Sequence, residues 1–223
     1  MSTQNANFIG QWIFMNNKNR KARFSMLRSY TVADLFTIGN AASGMISIFF
    51  CLNYISEGRH KLFWLAFALL FVALGFDIFD GYWARRSRRQ SILGADMDSL
   101  SDIISFGVAP AVLGFTLGMR GVWDMLILVY FVACGISRLA RFNVTAAALS
   151  DSSGKVRYFE GTPIPTSVVI VGLLGVAFAM EAIGDSLWLG AYRLGFGTLH
   201  PLTLLYAVSG SAMISATLRI PKP

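Results

Sequence analysis

Uninterrupted stretches of about 20 residues, apolar on every side of a helix and long enough to cross the hydrocarbon core of a bilayer, dominate the chain. They fall at 32–56, 61–83, 97–118, 121–142, 163–184 and 197–218, divided from one another by Gly, Pro or clustered charge. The pattern predicts an all-α integral membrane protein with six transmembrane helices. The third stretch opens on Asp98, Ser99, Ser101 and Asp102, side chains that a lipid-facing helix would not carry. Ahead of the first, residues 8–30 mix Phe8, Trp12, Phe14, Phe24 and Leu27 with five basic side chains. That composition suits an amphipathic helix lying in the headgroup plane, with a solvated basic tail as the alternative. The expected division is a cytoplasmic or interfacial segment, 1–31, and a membrane domain, 32–223. No basic stretch leads into an apolar run and a small-residue cleavage site, so the N-terminal segment reads as retained.

Composition excludes a soluble domain of ordinary make-up: of 223 residues, 55% are hydrophobic and 14% charged, and mean hydropathy is +0.56. The formal charge of +7 matters less than its distribution. Six spans put fifteen cations on one side: Lys18, Arg20, Lys21, Arg23, Arg28, Arg85, Arg86, Arg88, Arg89, Arg138, Arg141, Lys155, Arg157, Arg219 and Lys222. The other side keeps four, Arg59, Lys61, Arg120 and Arg193. Because cationic loops stay inside, this predicts a multi-pass protein of the cell (cytoplasmic) membrane with both termini cytoplasmic. Cys51 and Cys134 stand in apolar runs with no His or Cys at a ligand spacing, so they read as packing residues.

Five of the twelve acidic residues lie between 77 and 102: Asp77, Asp80, Asp96, Asp98 and Asp102. The steps 77 to 80 and 98 to 102 each set two carboxylates one helical turn apart on one face. An ionised Asp inside a bilayer costs roughly 2.5–3.5 kcal/mol, and four that repel one another cost more. Divalent cations would offset that cost, since hard oxygen ligands suit Mg²⁺, Mn²⁺ or Ca²⁺. Pairing with the arginines of the connector is the plainer alternative, but it explains neither the doubled helical spacing nor the small residues Gly81, Ala84 and Gly94 beside the carboxylates. Such small residues open a slot for an extended ligand, or let helices pack closely.

The string Asp77-x-x-Asp80-Gly81-x-x-Ala84-Arg85, eight further residues, then Gly94-x-x-x-Asp98-x-x-x-Asp102, resembles the full signature of the CDP-alcohol phosphotransferases, with all eight fixed positions at the family spacing. The resemblance implies a six-helix membrane enzyme, usually a homodimer, that transfers a phosphatidyl group from a CDP-linked lipid to an alcohol and releases CMP. It also implies a two-metal site for Mg²⁺ or Mn²⁺, with Asp77, Asp80, Asp98 and Asp102 as ligands and Asp102 as general base. Gly81, Ala84 and Gly94 would line the nucleotide site and Arg85 would approach the diphosphate. Asp96 is outside the pattern. No Ser, His or Cys constellation for covalent catalysis accompanies the cluster, which favours direct in-line attack.

Four further tracts resemble the phosphatidylserine synthase branch of the family: 105–111, 138–143, 158–165, and Thr37-x-x-Asn40-x-x-x-Gly44 in the first span. Ala33 and Asp34 depart from that branch. The branch implies CDP-diacylglycerol as donor and L-serine as acceptor; glycerol 3-phosphate or an inositol phosphate would keep the chemistry with another acceptor. From a different class, the aspartates could line a divalent-cation transport path. Arg138 and Arg141, one turn apart, suit a carboxylate through paired hydrogen bonds, with Asn143 nearby; contact with lipid phosphates or simple snorkelling would use the same residues. Thr37, Asn40 and Gly44 share a helical face that suits either nucleotide contacts or hydrogen bonds between helices. Pro110, Pro163 and Pro165 read as kinks or helix starts. His60 and His200 fall on the sparsely charged side, away from the cluster, and Trp12, Trp64, Trp83, Trp123 and Trp188 sit near span ends, as an aromatic belt would. No nucleic-acid partner is expected.

Overall fold

The computed structural model describes residues 32–87, 92–149, 158–215 and 219–221. The interfacial helix expected over 8–30 lies outside them. Helix α1 (Val32–Glu57) turns at Gly58 into α2 (His60–Ser87). Gly58 takes the left-handed conformation that a tight reversal requires, with φ +66°, and its N–H donates to the Tyr54 carbonyl at 2.8 Å. The two helices run antiparallel. Ser47 Oγ donates to the Ala66 carbonyl at 2.8 Å, which satisfies a hydroxyl in an apolar setting. At the loop end, Tyr54 stacks on Phe63 at 4.6 Å and Phe178 meets Phe63 edge-on at 4.7 Å.

The third stretch forms one rod in three pieces: α3 (Ile92–Asp102), a π turn (Ile103–Val108) and α4 (Ala109–Leu117). In the π turn the ladder widens, the Ala109 N–H reaching back to the Ile104 carbonyl. The widening precedes Pro110, which has no N–H to donate and would crowd the carbonyl one turn earlier in a regular α-helix. This rod is the centre of the domain. Its Gly94–Leu117 span is 67% buried, against 28–33% for the spans Val32–Glu57, His60–Trp83 and Val122–Thr145. Those outer helices present large apolar side chains such as Leu35, Phe71 and Val129 outward, the surface a lipid-facing helix needs. Helix α5 (Val122–Leu149) returns toward the site end, followed by β1 (Tyr158–Glu160), a 3₁₀ turn (Ile164–Thr166) and α6 (Ser167–Ala179). After β2 (Tyr192–Leu194) and β3 (Gly197–Leu199), the turn Pro201–Thr203 leads into α7 (Leu204–Ile214) and then β4 (Arg219–Pro221).

Among the described residues, four helices are thus long and apolar enough to cross a membrane. The fifth and sixth apolar stretches form shorter helices than their hydropathy suggests, Ile164–Ala179 and Pro201–Ile214. The reason is local: 180–184 is spent on a turn through Glu181 and Gly184, both at positive φ, and 197–199 is strand. Hydropathy counts such residues without distinguishing helix from turn. The described residues are mostly helical, with two small antiparallel ribbons, β1–β4 and β2–β3. Cys51 and Cys134 are free and buried, as packing residues would be. Pro163 and Pro165 stand at the start of the α6 helical segment.

Candidate active site

Asp77 and Asp80 lie in the last turns of α2, and Asp98 and Asp102 in α3 before the π turn. One carboxylate oxygen from each of Asp77, Asp98 and Asp102 falls within 4.8 Å of the other two. Asp98 Oδ1 is buried with no hydrogen-bond partner, and no ion pair joins these carboxylates to a cation among the described residues. Asp80 and Asp102 are buried to 6% and 7% exposure. Asp102 feels the charge of Asp77, Asp98 and Asp80 together. Converging hard oxygens, on a set of side chains in which Asp98 Oδ1 is buried without a partner, fit the requirements of an oxygen-preferring divalent cation. Asp80 stands beside the trio and is held differently.

Helix α1 holds it. The Thr37 hydroxyl is 3.2 Å from Asp80 Oδ2 and 3.1 Å from the Ala33 carbonyl, while Asn40 Nδ2 donates to Asp102 Oδ1 at 3.2 Å. The backbone of α1 is braced in turn from α3 and the π turn: Ser101 Oγ donates to the Thr37 carbonyl at 2.6 Å and Ser105 Oγ to the Asn40 carbonyl at 2.8 Å. The two faces are thereby registered against each other, so that Thr37 and Asn40 meet the aspartates. Asn40 Oδ1 is buried without a partner among the described residues. Gly44 serves helix packing: a Cβ there would lie 2.5 Å from Ser105 Oγ and 2.8 Å from Ser105 Cα. Thr37 and Asn40 thus make hydrogen bonds between helices, and Gly44 permits a close approach.

Gly81 and Gly94 are half-buried beside the carboxylates, while the side chains of Ala84 and Arg85 lie outside the described residues. Arg138 is half-buried on α5, its guanidinium 5.4 Å from the Phe142 ring and within electrostatic reach of Asp102. Arg141 points outward and is exposed. Asn143 accepts from Ser99 Oγ at 3.1 Å and donates toward Asp96 Oδ1 at 3.4 Å, tying α5 to α3 and giving Asp96 a place at the rim of the site.

Two groups escape sequence reasoning. Ser101 belongs to the polar opening of the third stretch and Ser105 begins the 105–111 tract, but nothing in either position marks a hydroxyl that braces a neighbouring helix. At the far end of the domain, fully buried Asp124 accepts from the Gly121 N–H at 3.0 Å, the His200 N–H at 2.8 Å and Thr203 Oγ1 at 2.8 Å. It also meets His200 Nδ1 at 2.6 Å. His200 is therefore a buried structural partner remote from the carboxylates, and His60 stacks on Phe178 at 5.4 Å near the same end.

Helices apolar enough to span a bilayer, joined around a buried carboxylate cage, define a polytopic membrane protein whose chemistry lies between its helices. Residues 30–208 match the profile of the CDP-alcohol phosphatidyltransferase family, and the chain belongs to that family. It is 42% identical over 208 residues to the CDP-diacylglycerol--serine O-phosphatidyltransferase of Saccharomyces cerevisiae, covering 90% of this chain and 74% of the yeast protein. It is 32% identical over 148 residues to the protein of the same name from Methanocaldococcus jannaschii, covering 66% of this chain and 62% of that one. Against the archaetidylserine synthase of Methanothermobacter thermautotrophicus the identity is 38% over 162 residues, covering 67% of this chain and 64% of the relative. The chain thus spans somewhat under two thirds of the length of the two archaeal relatives.

Proposed function

We propose that the protein is a CDP-diacylglycerol–serine O-phosphatidyltransferase. The hydroxyl of L-serine attacks the phosphatidyl phosphorus of CDP-diacylglycerol, the bond from that phosphorus to the CMP oxygen breaks, and phosphatidylserine and CMP are released. The observation that carries this reading is the convergence of Asp77, Asp98 and Asp102 inside a chain that belongs to the family and is 42% identical to a relative of that name.

Asp77, Asp80, Asp98 and Asp102 would hold the divalent cations, Mg²⁺ or Mn²⁺. Bound there, such ions neutralise the diphosphate and stabilise departing CMP. Asp102, held in place by the hydrogen bond that Asn40 Nδ2 donates to its Oδ1, takes the proton of the incoming hydroxyl. Thr37 and Asn40 keep Asp80 and Asp102 in place, and the unpartnered Asn40 Oδ1 is free to accept from the nucleotide. Gly81, Ala84 and Gly94 line the path of the CDP moiety, and Arg85 meets its phosphates. Arg138, the inward-facing cation of α5, holds the serine carboxylate, with Arg141 and Asn143 at the edge of the acceptor pocket. The same reading has six spans, both termini on the cytoplasmic side of the cell membrane, a separate interfacial segment at 1–31 and a homodimeric working unit.

The test is acceptor competition. Purified protein in lipid–detergent micelles with CDP-diacylglycerol and Mg²⁺ or Mn²⁺ should form labelled lipid from L-serine, and unlabelled glycerol 3-phosphate or inositol phosphate should not suppress it. Lipid formed from either of those acceptors but not from serine overturns the proposal, and CMP release that persists in excess chelator overturns the metal role.

A further inference from the structure

The segment between α6 and α7 holds an amphipathic ribbon at the end of the domain away from the carboxylates. Strands β2 and β3 pair Tyr192 with Leu199, Arg193 with Thr198 and Leu194 with Gly197. Side chains alternate across a strand, so Tyr192, Leu194 and Leu199 share one face and Arg193 and Thr198 the other. Gly197 and Leu199 on the apolar side are partly covered, Gly197 lying against Val122 and Trp123, but the rest is open: Tyr192 is 58% exposed and Leu194 49%, with Phe196 in the turn at 80% and Leu189 ahead of the ribbon at 70%. A soluble protein would not leave such a row in water.

The ribbon is fastened to one level of the domain. Trp123 Nε1 donates to the Leu194 carbonyl at 2.9 Å, and the Trp123 and Phe196 rings are 5.3 Å apart. Gly121 lies so close beneath β3 that a Cβ would stand 2.0 Å from the Thr198 carbonyl oxygen. Just beyond, Asp124 binds His200 and Thr203. Residues 121–124 open the span Val122–Thr145, so the ribbon sits where the hydrocarbon boundary of that span falls. The helices on either side, Ile164–Ala179 and Pro201–Ile214, measure about 24 Å and about 21 Å at 1.5 Å per residue. On the six-span reading proposed above, both are shorter than the roughly 30 Å of hydrocarbon to be crossed. The residues between them therefore complete the passage, and an apolar face continuous with the lipid-facing helices is what that depth requires.

We propose that the β2–β3 ribbon is an interfacial anchor whose Tyr192, Leu194 and Phe196 side chains enter the headgroup–acyl boundary of the leaflet opposite the aspartates, while Arg193 and Thr198 face headgroups and water. Its partner is the lipid surface. Apolar burial drives the contact, so phosphatidylcholine suffices and anionic lipid is not needed.

The test places an environment-sensitive fluorophore on cysteines introduced one at a time, Tyr192→Cys, Arg193→Cys, Leu194→Cys, Phe196→Cys and Thr198→Cys, in the full chain reconstituted into phosphatidylcholine vesicles. Cys51 and Cys134 are buried, and the parent protein measures their background labelling. Labels at 192, 194 and 196 should emit to the blue, be quenched several-fold more by lipid carrying a nitroxide at a shallow acyl carbon, and resist iodide equilibrated on both sides of the membrane. Labels at 193 and 198 should show the reverse. Iodide quenching without alternation overturns the anchor, as does protection at 194 and 196 from both quenchers, which means that protein covers the ribbon. Tyr192 is 58% exposed and makes none of the contacts that fasten the ribbon, so Tyr192→Cys decides the question even if loss of the Phe196 ring loosens the turn. The outcome does not depend on which alcohol the enzyme uses.

Discussion

Adding one methyl group at Gly44 should cripple catalysis at a site it never touches. A Cβ there would stand 2.5 Å from Ser105 Oγ, which can rotate, and 2.8 Å from Ser105 Cα, which cannot. Ordinary carbon contacts lie at about 3.5–4.0 Å, so Gly44→Ala must part α1 from the π turn by about 0.7–1.2 Å. The bonds from Thr37 to Asp80 and from Asn40 to Asp102 are both 3.2 Å long, and the same parting carries them beyond hydrogen-bonding range. Hydrogen bonds to charged groups contribute about 1.5–3 kcal/mol each, and misplacement by about 1 Å near a reacting centre costs about 100-fold in rate. The expected outcome is a folded protein whose kcat for serine-dependent CMP release falls by about 10- to 100-fold and whose metal half-saturation rises. Gly39→Ala is the control. On the same helix, its Cβ would have the Phe76 ring as its nearest neighbour, at 3.3 Å, and that ring can yield. Wild-type kcat and metal half-saturation in Gly44→Ala would refute the argument that α1 registers the carboxylates.

The remaining expectations concern single side chains. Asp102→Asn should abolish transfer while leaving the thermal unfolding midpoint in place, and Asp80→Asn should retain some turnover but demand more metal; either variant turning over like wild type contradicts its role. Asp124→Ala strips the acceptor from buried donors on Gly121, His200 and Thr203. It should cost about 3–9 kcal/mol of stability, at about 1–3 kcal/mol for each donor left unsatisfied, and a melting scan in lipid nanodiscs with no downward shift would rule that out. Arg138→Gln should raise the KM for serine about tenfold, the worth of a lost ionic hydrogen bond, with little change in the KM for CDP-diacylglycerol, whereas exposed Arg141→Gln should alter neither greatly. Equal effects of the two substitutions would remove Arg138 from the acceptor pocket.

Much of the site is legible in the chain because its spacing is helical. Asp77 and Asp80 share a face only if their segment is a helix, Asp98 and Asp102 fit the same period, and the polar opening of the third apolar stretch marks where they meet. Harder to read is what holds them. Ser101 and Ser105 act on carbonyls 64 and 65 residues away, and nothing in their local sequence separates a bracing hydroxyl from an idle one. Asp124 and His200 are likewise 76 residues apart and become partners only when two helix starts are brought to the same level. The shortening of the fifth and sixth apolar stretches was hidden for a different reason. Glu181, Gly184 and the ribbon 192–199 are decided by backbone conformation, to which a hydropathy sum is blind.

The widened turn at Ile103–Val108 sets the phase of the central rod. An α-helix advances about 100° per residue, so a wide turn that takes in one extra residue rotates everything before it by about that angle relative to everything after it. Asp98 and Asp102 are aimed by that offset toward α2, while Leu113 and Leu117 beyond it point into the core of the far half. The rod works as two dials on one shaft, clocked separately for chemistry and for packing. Losing one residue between 103 and 108 would leave the hydropathy of the span almost unchanged and yet swing one dial by more than a quarter of a revolution, so the length of this short tract is under tighter constraint than its composition.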